Sequence, residues 1–193
     1  YYALRPTLFL EFHGSEAGVA EQTRQMGEIC AEHGGGDFQW TTDAEERDRL
    51  WQARHDAAYA AIALKPGCTV WATDVCVPIS NLAECILETK KDLEESRLTA
   101  PIVGHVGDGN FHSAMLIGPD EPEADLAEAT RIHDRVVRRA LDLDGTCTGE
   151  HGVGLGKIDF LPLEHGEALD VMRDLKRTLD PLNIMNPGKM LRV

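Results

Sequence analysis

A chain of 193 residues is long enough to bury a hydrophobic core without disulfides or a structural metal, and 42% hydrophobic with 27% charged residues is globular usage that excludes long disorder. A net charge of -14 excludes unguided binding to nucleic-acid phosphates or anionic lipid, so an anionic ligand has to be held locally, by a buried Arg or a cation. Five cysteines without a Cys-x-x-Cys pair exclude a paired disulfide framework and a zinc ribbon, and suit a reducing compartment.

Taken in order, Thr7–His13 mixes aromatic and branched residues before Gly14-Ser15 and predicts a strand leading into a helix that runs to about His33 and stops at Gly34-Gly35-Gly36. Phe38–Thr41 predicts a short strand, and Thr42-Asp43-Ala44-Glu45 has the form of a capping box opening a helix that carries Trp51, Arg54, Tyr59 and Ile62. Lys65-Pro66-Gly67 ends it. Cys68–Val77 is rich in β-formers and predicts a strand up to Pro78, followed by a helix from Asn81 to about Ser96 capped by Ser80. Ile102-Val103 predicts a buried strand, and Phe111–Ile117 its hairpin partner. Between Glu121 and Leu143, the residues Leu126, Ala129, His133, Val136, Val137, Ala140 and Leu141 fall on one helical face. A last helix sets Leu169, Met172, Leu175 and Leu179 on one side and ends at Asp180-Pro181, leaving Asn183–Lys189 as a loop.

The short link between the strands flanking residues 107–110 implies an antiparallel pair. The fold class is therefore α+β, a ferredoxin-like, largely antiparallel sheet with helices packed on one face, within one domain over residues 1–193. No run approaches the roughly 18 apolar residues of a membrane span. The chain opens Tyr1-Tyr2-Ala3 with no signal peptide and no Met, and reads as a processed chain or a fragment of a longer one. No Gly-x-Gly-x-x-Gly fingerprint follows a strand and opens a helix, so a dinucleotide site of that type is not expected.

Two glycine-rich stretches carry the chemistry: Gly104-His105-Val106-Gly107-Asp108-Gly109-Asn110-Phe111-His112 and Thr146-Cys147-Thr148-Gly149-Glu150-His151-Gly152-Val153-Gly154. A hairpin turn over residues 107–110 brings His105 and His112 side by side, and Glu150 adds a carboxylate oxygen, a donor set that suits a divalent ion. The same residues also read as a glycine-rich hairpin with incidental histidines, and spacing alone leaves both open. Asp108 and Asn110 are assigned to the turn. Arg54 is either a bidentate clamp for a carboxylate or a surface charge. His13, His33, His55, His133 and His165 receive no role, with His133 expected as a satisfied core or edge residue.

These two stretches, with Gly145, Leu155-Gly156-Lys157, Trp51–His55, Thr73-Asp74-Val75-Cys76-Val77-Pro78, Asp180-Pro181 and Met185–Lys189, resemble the C-terminal domain of FAD-linked oxidases of the vanillyl-alcohol oxidase type, closest to the D-lactate dehydrogenase (cytochrome) branch. The resemblance implies a cap over a flavin, FAD, that is bound mainly by an N-terminal domain this chain lacks. It implies that His105, His112 and Glu150 hold Zn or Mn and that His151 is the general base for a small 2-hydroxy acid. It further implies that Arg54 pairs with the substrate carboxylate and that Asn186 approaches the flavin. Hydride would go to FAD, electrons onward to a cytochrome or quinone, and the isolated chain would not turn over. The 2-hydroxyglutarate branch uses Lys and Asn where this chain has Ala72 and Ala114, which favours a small or apolar substrate side chain. Glu-His in place of a His run sets the ether-lipid synthases aside. The alternative is a non-catalytic ligand-binding or regulatory module of the same fold, and a metal-dependent hydrolase with Glu150 as base lacks a nucleophile motif. The expected location is the cytoplasm or the inner-membrane periphery in a bacterium, and the mitochondrion in a eukaryote.

Overall fold

The computed structural model describes residues 5–36 and 38–193. The chain divides into two units, Tyr1–Ala58 and Tyr59–Val193.

The first unit is helical. Helix α1, Glu16–Glu32, starts at Ser15, whose hydroxyl accepts the Gly18 N–H at 3.2 Å, and stops where the Gly34–Gly36 run begins. Helix α2, Ala44–His55, is capped by Asp43 rather than Thr42: the Asp43 carboxylate accepts the Glu46 N–H at 2.9 Å, and Thr41 donates its hydroxyl to Glu46 at 2.8 Å. Only the N-cap half of the expected box forms, one residue further along, because the Asp43 N–H goes to the Thr41 hydroxyl at 3.0 Å rather than to Glu46. The predicted strands at Thr7–His13 and Phe38–Thr41 do not form. Their β-forming side chains find no ladder among the described residues of this unit, and a strand without a partner leaves its backbone groups to water. Phe9 instead packs toward Trp51, with ring centroids 6.4 Å apart. The single helix expected to reach Ile62 is broken at Asp56, whose N–H closes onto the Gln52 carbonyl at 2.9 Å, and α3 follows over Ala57–Ala63.

The second unit is built around β4, Asn110–Ile117, buried along its full length. Strands β1, Thr69–Ala72, and β2, Val75–Cys76, pair antiparallel with successive halves of its one edge, and β3, Ile102–His105, pairs antiparallel with the other. The predicted single strand Cys68–Val77 is thus interrupted at Thr73-Asp74. The register on either side is continuous, so no residue has been inserted; the Thr73 N–H still donates to the Ser113 carbonyl at 3.0 Å, while the Thr73 carbonyl is released from the ladder. Helix α4, Ile79–Glu94, connects β2 to β3, and α5, Pro122–Asp142, follows β4. Since β2 and β3 both oppose β4, they run parallel with β4 between them, the split β-α-β arrangement of a ferredoxin-type sandwich. The outer position beside β2 is reduced to one bridge, Cys76 to Thr146. The α+β class and the antiparallel sheet are as expected.

Alternation along β4 sorts its faces. Phe111, Met115 and Ile117 join Cys85, Ile132, Val136 and Val137 in the core, while Asn110, His112 and Ala114 share the opposite face. Two expected apolar faces are only partly buried. Leu126 on α5 is exposed, and on α6, Ala168–Leu179, Leu169 is buried whereas Leu175 and Leu179 are exposed. Helix α4 begins at Pro78 without a side-chain cap, two residues before the predicted start; Ser80 bonds its neighbour Asn81 instead.

Candidate functional site

The β3–β4 hairpin is closed by a 3-10 turn at Val106–Asp108 and by Gly109 at φ 79°. A Cβ on Gly109 would stand 2.0 Å from the Val77 carbonyl oxygen, so both the left-handed backbone and the close approach require glycine. In this register His105 opposes Asn110 and His112 opposes Val103. Cross-strand partners share a face, so His105 and His112 are diagonal neighbours on one side of the sheet rather than a direct pair.

The interruption at Thr73-Asp74 orients His112. Ser113 N–H donates to the Thr73 hydroxyl at 2.8 Å instead of to the Thr73 carbonyl. The freed carbonyl lies 3.0 Å from His112 Nδ1. A carbonyl only accepts, so Nδ1 carries the proton and Nε2 is left with its lone pair unless the ring is charged. His112 Nε2 faces Glu150 Oε1 at 2.9 Å. Two acceptors at that distance require a proton on the ring or a cation between them.

Glu150 Oε1 is also 3.9 Å from His105 Nε2 and 3.7 Å from His151 Nε2, so one carboxylate oxygen stands among three imidazoles. The His112 and His151 rings stack, with centroids 4.8 Å apart and 9° between planes. His112 is buried, while the side chains of His105, Glu150 and His151 are about half exposed (51%, 47% and 50%). The donors are therefore open to an incoming ligand, and nitrogen with carboxylate oxygen is a set that zinc and manganese accept. Donor atoms of Asp74, His112 and His151 also lie within 4.8 Å of one another, so this second trio is metal-capable by distance.

Asp74, which leaves the ladder beside Thr73, is buried under the loop carrying Glu150 and His151. Its Oδ2 accepts from the Thr148 hydroxyl (2.9 Å), the N–H groups of Gly149 (3.0 Å), Glu150 (3.1 Å) and His151 (2.9 Å), and Lys157 Nζ (3.2 Å). Oδ1 accepts from Asn110 Nδ2 (2.9 Å) and shares the Glu150 N–H (3.1 Å). Burial pushes the carboxyl pKa up, but the His151 N–H, the Asn110 amide, Lys157 and the Glu150 N–H outweigh it and hold it well below the usual carboxylate range. Lys157 is itself buried and donates to the Asp74 carbonyl at 2.6 Å.

Sequence reasoning gave Asp74 and Lys157 no role and assigned Asn110 to the turn. Asn110 instead opens β4 and donates to Asp74 and to the Val75 carbonyl at 2.8 Å. The one available signal was an acid standing alone among β-formers, at Thr73-Asp74-Val75-Cys76. Asn186 lies in the tail at φ 48°. That tail is held by Asp180, which accepts the Ile184 and Met185 N–H groups, and by the Met190 N–H on the Gly154 carbonyl at 2.8 Å. Arg54 lies on α2 in the first unit. His133 is buried with Trp71 and Phe160 around it, and its Nδ1 has no hydrogen-bond partner among the described residues, so it is a core residue but not a satisfied one. Burial pushes the Cys147 thiol up to about 12, with Glu164 adding to the effect, which removes thiolate chemistry from this loop at neutral pH.

The profile for FAD linked oxidases, C-terminal domain, matches residues 3–190. The chain is 55% identical over its whole length to a Danio rerio protein named as a probable mitochondrial D-lactate dehydrogenase, of which it spans 39%. It is 46% identical over 96% of its length to a mitochondrial D-lactate dehydrogenase [cytochrome] of Arabidopsis thaliana, of which it spans 33%. It is 30% identical over 96% of its length to a glycolate oxidase subunit of Bacillus subtilis, of which it spans 39%.

Proposed function

The chain belongs to the family of C-terminal domains of FAD linked oxidases, and on that premise we propose that it is the substrate- and metal-binding cap of a flavin-dependent D-2-hydroxyacid dehydrogenase acting on D-lactate or a close analogue. The observation that carries the proposal is Glu150 Oε1 standing 2.9, 3.7 and 3.9 Å from the Nε2 atoms of His112, His151 and His105. A ligand-binding module of this fold has no need of a carboxylate set among three imidazoles with one ring locked by a backbone carbonyl.

His105, His112 and Glu150 would hold the divalent ion, Zn or Mn, and the FAD would be bound mainly by the part of the parent protein that this chain does not span. When bound, the ion lowers the hydroxyl pKa and the flavin accepts the hydride. His112 presents Nε2 because Thr73 holds Nδ1. His151, half exposed beside Glu150, takes the substrate hydroxyl proton at Nε2, a transfer an imidazole can make near neutral pH. Asn186 approaches the flavin, and a cytochrome or quinone receives the electrons. The substrate's second carbon substituent is met by apolar surface. Ala72 and Ala114 are direct partners in the β1–β4 register, and Ala114 is on the His112 face, two residues along β4. A second carboxylate there would lie unpaired, which supports a substrate the size of lactate. The names of the Danio and Arabidopsis relatives support a mitochondrial location, and no helix among the described residues is long and apolar enough to cross a membrane.

The test is single-turnover flavin reduction by D-lactate in the full-length protein. His151→Ala is expected to abolish reduction while flavin stays bound, and reduction at the wild-type rate would refute the assignment of the base.

A further inference from the structure

Asp74 is close enough to His112 and His151 to be counted with them as a metal ligand, yet its oxygens are already engaged. Oδ2 receives five donors and Oδ1 two, drawn from Thr148, Gly149, Glu150, His151, Asn110 and Lys157. A carboxylate has about four lone-pair sites, so none is left over for a cation. Three consecutive backbone N–H groups, those of Gly149, Glu150 and His151, converge on it, the arrangement in which a loop ordinarily binds an external anion. Here the anion is built into the chain 75 to 77 positions earlier.

We propose that Asp74 is a positioning residue for the oxidation: its carboxylate sets the backbone of residues 148–151, and thereby places Glu150 and His151 against His105 and His112. Lys157 and Asn110 donate to the same carboxylate. The fit is close at Gly149, where a Cβ would stand 1.9 Å from Asn110 Nδ2 and 2.7 Å from Asp74 Oδ1, so the loop reaches its anchor only with glycine there. This inference rests on the cap function proposed above for its consequence in catalysis, but not for the clamp itself.

The experiment compares wild type, Asp74→Asn, Gly149→Ala and Lys157→Met in the full-length protein, reading steady-state oxidation of D-lactate, bound divalent ion and amide hydrogen exchange by peptide. Asp74→Asn keeps the shape and removes the charge and one acceptor oxygen. It is expected to lower kcat by about 10- to 100-fold, the usual effect of losing a group that orients metal ligands, with KM changed by less than about threefold. Exchange in peptides covering residues 146–155 should speed up while β4 and α5 peptides keep wild-type rates. Gly149→Ala should reproduce this exchange pattern with Asp74 intact, and so decides the matter if Asp74→Asn does not fold. Lys157→Met, which leaves the N–H donors in place, should lower kcat less than Asp74→Asn does. The proposal is overturned if Asp74→Asn retains wild-type kcat, or if it loses its ion while exchange at 146–155 is unchanged, which would make Asp74 a ligand. A wild type that does not oxidise D-lactate would overturn the function proposed above, and the exchange comparison would still decide the clamp.

Discussion

At Thr73 one hydroxyl decides what two other groups do. It accepts the Ser113 N–H at 2.8 Å, so the Thr73 carbonyl is released from the ladder and meets His112 Nδ1 at 3.0 Å. Thr73→Val should therefore leave a buried N–H competing for that carbonyl, costing about 1–3 kcal/mol and weakening the hold on His112. Denaturant unfolding together with a divalent-ion titration would check this; unchanged stability and unchanged ion affinity would show that the hydroxyl is not needed. His105, His112, Glu150 and His151 stood out in the sequence as donor side chains between glycines, but spacing left a hairpin with incidental histidines equally open, and only the family resemblance gave them roles. Asp74, Asn110 and Lys157 did not stand out, because each is ordinary in its own neighbourhood and acquires meaning only from a partner 36 to 83 positions away.

Among the elements, those with strong local signals were readable and those that depend on partners were not. The α5 periodicity and the β3–β4 hairpin gave themselves away, whereas Thr7–His13 and Phe38–Thr41 carry strand-forming residues that find no ladder in their unit. The break at Thr73-Asp74 was hidden for a related reason: composition favours a continuous strand, and the bonds that interrupt it run from Asp74 to a distant loop and from the Thr73 carbonyl to His112. The hairpin turn is the element most sensitive to a single change. Gly109→Ala would place a side chain at φ 79° and within 2.0 Å of the Val77 oxygen, so it should destabilise the second unit by more than about 1 kcal/mol. A urea midpoint equal to wild type would contradict that account of the turn.

For the whole molecule, acidity and burial meet at Asp125, which is 3% exposed and bonded by the Gly118 N–H at 2.8 Å, Arg97 at 2.7 Å and Lys65 at 3.3 Å. The Gly118 N–H first, and then Arg97 and Lys65 against the opposing effect of burial, hold its carboxyl below the usual range. A depressed folded pKa contributes stability that is present above the unfolded value of about 4 and is lost as pH falls through the folded value. Asp125→Asn should thus be less stable than wild type at pH 7, with the difference shrinking by about pH 3; urea unfolding at the two values would show it, and a constant difference would contradict it. The chain spans about a third to two fifths of the length of its D-lactate dehydrogenase relatives, and the chemistry proposed above is that of such a full-length protein. In that protein His105, His112 and Glu150 are proposed to hold a divalent ion. Metal analysis of the full-length protein tests it most directly: about one ion per chain in the wild type and its loss in His105→Ala are predicted, and a metal-free wild type that oxidises D-lactate would contradict the account.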